Sequence, residues 1–310
     1  MIMDPIESIK PAKDTTLALL LEAQRRGWGI SYGRLEDIWL RDGEAFGRLT
    51  RLKVADDPAA WFELGEVTVT PLGEMDVILM RKDPPFDMEY IVATYVLERA
   101  EAHGALVVNR PQSLRDANEK AFVAWFPECV PPTLISRSLE ELRAFVAEHD
   151  RVVVKPLDLM AGQSVFVTST DDGNCNVILE TVSQGGSRFT MVQKYLPEIV
   201  DSGDKRIILI DGEPIPLSLV RVPPPGDHRG NLVTGARAEV RPLTDRDMWI
   251  CKQVGPKLRE KGLLFAGIDV IGGFMTEINT TSPTGIRELE RTSDLRITEK
   301  LFDAISSKLG

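Results

Sequence analysis

Cysteine and histidine are scarce in this chain of 310 residues, with three of each. Cys129, Cys175 and Cys251 are odd in number and far apart, which excludes a disulfide frame and a cysteine zinc site and reads as free thiols in a reducing compartment. His103, His149 and His228 are equally scattered, which excludes a histidine metal centre. No apolar run reaches the length of a membrane span, and the opening "MIMDPIESIKP" has no signal-peptide core, so a cytoplasmic protein with no membrane partner is expected. Basic charge is short as well. Lys and Arg total 37 against 47 Asp and Glu, a net charge of -10. A sequence-independent hold on nucleic acid is therefore excluded, and any anion must be met by a local cluster of cations. Glycine is missing from one telling place. In "KPLDLMAGQSVF", residues 155–166, a strand ends in a lysine where a phosphate-binding loop would want glycines, yet only Gly162 is there.

What is present is ordinary for a soluble globular protein, with 43% apolar and 27% charged residues. The length predicts two or three lobes. Helical and strand patterns alternate, so the class is α/β or α+β. Asp14 is placed to cap a helix that stops at Gly27. "DVILM" at 76–80 and "ALVV" at 105–108 read as buried strands around a helix from Asp87 to His103, an open parallel sheet in the first third. Segment 41–75 has weak periodicity despite Trp39, Phe46, Trp61 and Phe62. Ser113 to Phe126 reads as a helix, and Ser138 with Glu141 as a capping box. "RIILI", Asp211–Gly212 and "EPIPLSLV" read as a hairpin. Residues 222–236 form a long Pro- and Gly-rich loop, and Thr244 caps a helix to about Lys261.

Three constellations could carry chemistry. In "GIDVIGGFMTEINTTSPTGIRE", 267–288, a three-residue turn from Gly272 to Phe274 would set Asp269 opposite Glu277, with Asn279 on the same face. Opposed like charges call for a cation between them, and hard oxygen donors of this kind suit Mg²⁺. A solvated hairpin with two exposed acids is the plain alternative, disfavoured by the apolar flanks Ile268, Val270 and Ile278. Lys120, Lys155 and Lys194 form the second set. A lysine at a strand end facing a cleft is a natural partner for phosphate, although for any one alone reaching to solvent is the favoured reading. Arg206, Arg221, Arg229 and Arg237 form the third, a locally basic set around the hairpin and the long loop that suits carboxylate or phosphate.

Taken together these residues resemble the ATP-grasp ligases and, within them, the bacterial glutathione synthetases. "MDPI", "DVILMRKDPPFD", "NRPQSLRDANEK", "KPLD", "YLPEI", "GDKRIILIDGEP", "GIDVIG" and "TSPTGIRE" carry the resemblance, which covers nearly the whole chain. It implies an N-terminal substrate domain at 1–117, a central ATP-grasp lobe at 118–198, and a C-terminal lobe at 199–310 with a metal site and a lid loop. It implies an ATP-dependent, peptide-bond-forming ligase that joins γ-glutamylcysteine to glycine through an acyl phosphate. Asp269, Glu277 and Asn279 would hold Mg²⁺ or Mn²⁺. Lys120, Lys155, Met160, Ala161, Gly162, Lys194, Tyr195 and Leu196 would bind ATP. Arg206, Arg221, Arg229 and Arg237 would act in catalysis, and Arg206, Arg221, Ser282 and Thr284 would meet the peptide substrate. A homo-oligomer, possibly a tetramer, is implied, with only small molecules as further partners.

The chain departs from that pattern at Leu159-Met160-Ala161-Gly162, where the family tends to read Gly-Met-Gly-Gly, and at Ala236 and Ala238. Leucine or alanine at positive φ would be strained by about 1 kcal/mol or more. The family also has a strand before "MDP", where this chain has only Met1 and Ile2. A ligase with a different substrate, and a nucleotide-binding paralogue weakened in catalysis, are the other two readings.

Overall fold

Side-chain caps start the helices that the sequence predicts. Asp14 accepts the Leu17 N–H at 2.6 Å and opens Thr15–Arg25. Asp87 accepts the Tyr90 N–H at 2.9 Å and opens Met88–Ala102. Thr244 and Asp247 satisfy each other's backbone at the head of Asp245–Glu260. The computed structural model describes residues 1–160, 162–224 and 237–309. Ala161, Arg229 and Ala236, together with most of loop 222–236, lie outside the described residues.

The first third holds the expected parallel sheet. Val77–Arg81 lies between Ile2–Met3 and Leu106–Val108, so a strand does precede "DP", two residues long. Segment 41–75, with its weak periodicity, forms a long antiparallel hairpin, Glu44–Val54 against Phe62–Pro71, with Ile38–Arg41 on the other side. Its outer strand is exposed along most of its length, so no buried face imposes alternation. Trp39 stacks on Phe46 and Trp61 tilts against Phe62, which partners these aromatics locally.

The single helix expected from Ser113 to Phe126 is corrected to two short pieces, Pro111–Asp116 and a 3₁₀ turn at Ala121–Trp125. Asn118 causes the break. Its Oδ1 accepts the N–H groups of Lys120 and Ala121 at 3.1 and 2.9 Å, offering the backbone an alternative to the helix.

The central lobe is an antiparallel sheet in the order Phe166–Ser169, Arg151–Pro156, Thr190–Lys194, Thr133–Ser136. Helices Leu139–His149 and Cys175–Val182 cover one face, where Val152, Val154 and Val192 are buried with Leu142, Val146 and Leu179. Strand alternation then turns Val153, Lys155 and Gln193 to the other face.

The C-terminal sheet runs Arg237–Pro242, Glu213–Val222, Asp204–Ile210, Phe265–Ile271, Phe274–Asn279. Both faces are buried, which is why "RIILI" reads as an unbroken apolar run. Ile207 and Leu209 pack with Ile250, Val254 and Leu258 of helix Asp245–Glu260. Ile208 and Ile210 join a second core with Ile286, Leu301 and Phe302 from the last two helices and Leu17 and Leu20 from the first. The face of Ile208 continues past that core to Arg206 and Asp204, and there the sheet opens onto a cleft.

Candidate functional site

The cleft lies between the open face of the central sheet and this polar end of the C-terminal sheet, with a volume of about 370 Å³. Val153, Val167, Tyr195, Leu196, Ile199 and Ile271 give it apolar walls. Among the described residues five cationic side chains line it, Lys120, Lys155, Lys194, Arg206 and Arg221, against four carboxylates, Glu119, Asp204, Asp269 and Glu277. In a chain of net charge -10 this is the local concentration of cations that an anionic ligand needs.

The hairpin brings its residues together by a route the sequence did not disclose. Asp269 does pair with Glu277. The turn, however, is two residues long, Gly272–Gly273 at φ 55° and 85°, with Ile271 opposite Phe274. A bulge between Asp269 and Val270 then absorbs one residue, Thr276, and restores the pairing. Without it, Met275 and Ile278, three apart, could not both face the core that holds Val270 and Ile268. The extra residue thus satisfies the core on one face and sets Glu277 and Asn279 toward the cleft on the other.

Asp269 sits among arginines. Arg206 donates to it twice, from Nε at 2.5 Å and Nη2 at 3.0 Å, and Arg221 Nη2 lies 3.0 Å away. Arg221 also pairs with Asp204, its partner across the hairpin. Burial pushes the Asp269 carboxyl up, but the two guanidiniums override it and hold the group well below the usual carboxylate range. Asp204 moves the other way. Burial, reinforced by Asp269 and opposed by Arg221, holds its carboxyl above the usual range, and its Oδ1 is buried with no hydrogen-bond partner.

Glu277 stands 3.8 Å from both Lys120 and Lys155. Burial lowers the Lys155 ammonium pKa, Glu277 opposes that, and Lys120 adds to it. Lys155 also donates to Gln193 Oε1 at 2.9 Å, and Lys120 donates to the Leu159 carbonyl at 2.6 Å. Loop 157–163 is therefore anchored to the cation that faces the cleft. Among the described residues of 157–164, positive φ angles fall on Gly162, 72°, and Ser164, 54°, and Leu159 is free of the strain expected of it.

A divalent cation is the group that these residues imply, and the donor set fits it. Among the described residues no three Asp, Glu, His or Cys side chains are grouped to hold a metal ion, so Asp269 and Glu277 would need a further donor. The Asn279 side chain is the candidate. Its nitrogen donates to Asp269 Oδ2 at 3.3 Å, so its oxygen would be the atom left for a cation, and Glu277 shares its face. Two carboxylates and an amide oxygen are the hard donors that Mg²⁺ or Mn²⁺ takes.

Of the residues expected in the site, Lys120, Lys155, Met160, Gly162, Lys194, Tyr195, Leu196, Arg206, Arg221, Asp269, Glu277 and Asn279 line the cleft. Ser282 and Thr284 do not. Ser282 donates to the Arg81 carbonyl at 3.4 Å, and the Thr284 carbonyl accepts from Arg206 at 3.4 Å. Arg237 points to solvent, 75% exposed, and pairs with Glu239. The N–H groups of Lys194 and Tyr195 are spent on the carbonyls of Pro132 and Arg151. Glu119, Gln193 and Asp204 are cleft residues that the sequence reading missed. A strand period of two would have found Asp204 beside Arg206; Glu119 carried no pattern.

Comparison with known proteins agrees with the geometry. The family model described as prokaryotic glutathione synthetase, N-terminal domain, matches residues 1–115, and the one described as prokaryotic glutathione synthetase, ATP-grasp domain, matches 119–294. A glutathione synthetase of Pseudomonas putida is 56% identical over 100% of this chain and 97% of its own. One from Coxiella burnetii is 53% identical, over 99% and 96%. Among solved structures, the D-cycloserine synthetase DcsG superposes with a TM-score of 0.72 at 15% identity, covering 100% of this chain and 99% of that one. D-alanyl-alanine synthetase A from Vibrio cholerae does so with a TM-score of 0.63 at 12% identity, over 99% and 97%.

Proposed function

The chain belongs to the prokaryotic glutathione synthetase family, and from that premise we propose how its cleft forms a peptide bond. It is an ATP-dependent ligase of the ATP-grasp fold that makes glutathione. The observation that carries the site assignment is Glu277 standing between Lys120 and Lys155, across the hairpin from an Asp269 gripped by two arginines.

ATP lies in the cleft with its base against Tyr195, Leu196, Val153 and Ile271 and its phosphates toward Lys120 and Lys155. The carboxylate of γ-glutamylcysteine attacks the γ-phosphorus, ADP leaves, and an acyl phosphate forms. The glycine amine then attacks the acyl carbon, and phosphate leaves with the bonding pair. Phosphoryl transfer of this kind asks for position and charge neutralisation rather than covalent help. Lys120 and Lys155 supply both for the phosphates. Arg206 and Arg221, held in place by Asp269, present fixed positive charge to the carboxylate and to the acyl phosphate. Glu277 and Asn279, with Asp269, would hold Mg²⁺ or Mn²⁺, which when bound would supply positive charge to offset that of the phosphate oxygens.

The domain boundaries proposed are 1–117, 118–198 and 199–310. They are supported by the gap between the two family models and by the central sheet ending at Lys194 before the C-terminal sheet begins at Asp204. The protein works in the cytoplasm as a homo-oligomer; among the described residues no helix is long and apolar enough to cross a membrane. A coupled ADP-release assay tests the function. Turnover should require γ-glutamylcysteine, glycine and a divalent cation together. Turnover with another acceptor amine but none with glycine would refute it.

A further inference from the structure

Asn279 is bracketed by one residue that belongs to neither its strand nor its sheet. The Glu119 carbonyl accepts the Ile278 N–H at 2.9 Å, on one side of Asn279. The Glu119 carboxylate accepts the N–H groups of Thr280 and Thr281 at 2.8 and 2.9 Å on the other side, and the Thr281 hydroxyl at 2.8 Å, all on Oε1. Thr280 and Thr281 are buried at 0% and 5% exposure, so without Glu119 those two N–H groups would be left unsatisfied away from water. The next residue, Lys120, faces Glu277 at 3.8 Å and holds the Leu159 carbonyl. Asn118 completes the tripeptide by donating to the Leu157 carbonyl at 3.0 Å. Three successive residues thus tie the loop at 157–159 and the strand of Glu277 and Asn279 to a single point.

We propose that Glu119 is a positioning residue for the divalent cation, setting the Asn279 side chain by fixing the backbone on both sides of it. This inference rests on the proposed cation site. A ligand at the last residue of a strand is free to swing once its backbone is free, and outer residues that orient metal ligands typically contribute about 10–100-fold to affinity or activity. The role needs an acceptor oxygen, not a charge. Glu119→Gln keeps one, Glu119→Ala removes it, and Glu119→Asp, one methylene shorter, cannot reach all three donors.

Mn²⁺ binding to the whole protein in the presence of ADP, read by electron paramagnetic resonance of the free ion and with no turnover, tests it. Glu119→Ala and Glu119→Asp should weaken Mn²⁺ binding by about 10–100-fold, and Glu119→Gln by less than about threefold. ADP affinity without metal should fall by much less than Mn²⁺ affinity in all of them, a contrast that a merely structural role would not give. Mn²⁺ affinity unchanged in both Ala and Asp variants would overturn the proposal, as would an equal loss of metal-free ADP binding. Asn279→Ala separates the two levels: if it leaves Mn²⁺ affinity intact, the cation site itself is misassigned.

Discussion

Asp269 is the residue on which the charge balance of the cleft turns. At 6% side-chain exposure it faces two guanidiniums that are themselves 8% and 12% exposed. Removing one partner of a buried pair strands the other charge, which costs about 3–5 kcal/mol. Arg206→Leu leaves Asp269 with Arg221 alone, so it should lower unfolding stability in urea by less than that, about 1.5–3 kcal/mol. The double variant Arg206→Leu, Asp269→Asn should recover much of it, because no half-paired carboxylate remains. Equal loss in the single and double variants would mean that Arg206 acts through packing alone. Asp269, Glu277 and Asn279 were legible as facing residues of one hairpin, although the sequence suggested a three-residue turn where the structure has two residues and a bulge, and both arginines were legible from their place at the ends of the hairpin strands. Their partners were not. That Arg206 and Arg221 share one carboxylate depends on the register of three strands, and no spacing within one strand encodes it.

The thiols give a second expectation at this scale. Burial pushes the Cys251 thiol up from 9.0 to about 12, and Cys129, also buried, moves in the same direction. Both should resist a disulfide-exchange reagent at pH 8 in the native protein, leaving partly exposed Cys175 as the fast-reacting thiol. The sign of the stability effect follows. An acid whose folded pKa is raised keeps its proton in the fold and loses it when unfolded. The contribution of Cys251 is therefore complete below pH 9 and declines as the pH rises from 9 toward 12. The melting temperature should fall over that range, and less so in Cys251→Ala. Fast reaction of all three thiols at pH 8 would contradict this.

Among the elements, helix Asp245–Glu260 breaks the usual ranking of helix formers. Gly255 lies in its interior, where alanine normally gains about 1 kcal/mol. Here the helix backbone touches the Asp211–Gly212 turn of the neighbouring hairpin. A Cβ on Gly255 would lie 2.2 Å from the Gly212 carbonyl oxygen, and one on Gly212 would lie 2.4 Å from that of Gly255. Neither neighbour is a side chain that can swing away. Gly255→Ala should therefore destabilise by about 1–3 kcal/mol despite its propensity. Gly173→Ala, with open space around its Cβ, should stay within about 0.5 kcal/mol. A stabilised Gly255→Ala would show that the hairpin can shift. Elements with a cap and one buried face were legible at this scale. The hairpin Glu44–Val54 and Phe62–Pro71 was not, because its outer strand has no face to bury within the chain.

At the scale of the whole molecule that outer strand is an open sheet edge. Phe62–Pro71 pairs on one side only, and Leu64, Val67 and Val69 are about half exposed or more. A ten-residue edge spans about 33 Å and would template a copy of itself. A second apolar stripe lies on helix Met88–Ala102, where Met88, Val92 and Tyr95 recur at the spacing of one helical face. A tetramer with dihedral symmetry needs two unlike two-fold contacts, and the N-terminal lobe offers two unlike apolar surfaces. Chains of net charge -10 repel one another, so apolar burial would have to hold any assembly of them. The double variant Val67→Lys, Val69→Lys places like charges along the edge. In sedimentation it should reduce the assembly by one step, tetramer to dimer or dimer to monomer. Met88→Lys with Val92→Lys should act on the other contact, and the two pairs combined should give monomer. None of these residues lines the cleft, so ligase turnover per chain should survive unless assembly itself supports it. An unchanged sedimentation coefficient in the combined variant would assign both apolar surfaces to something other than a second copy of this chain.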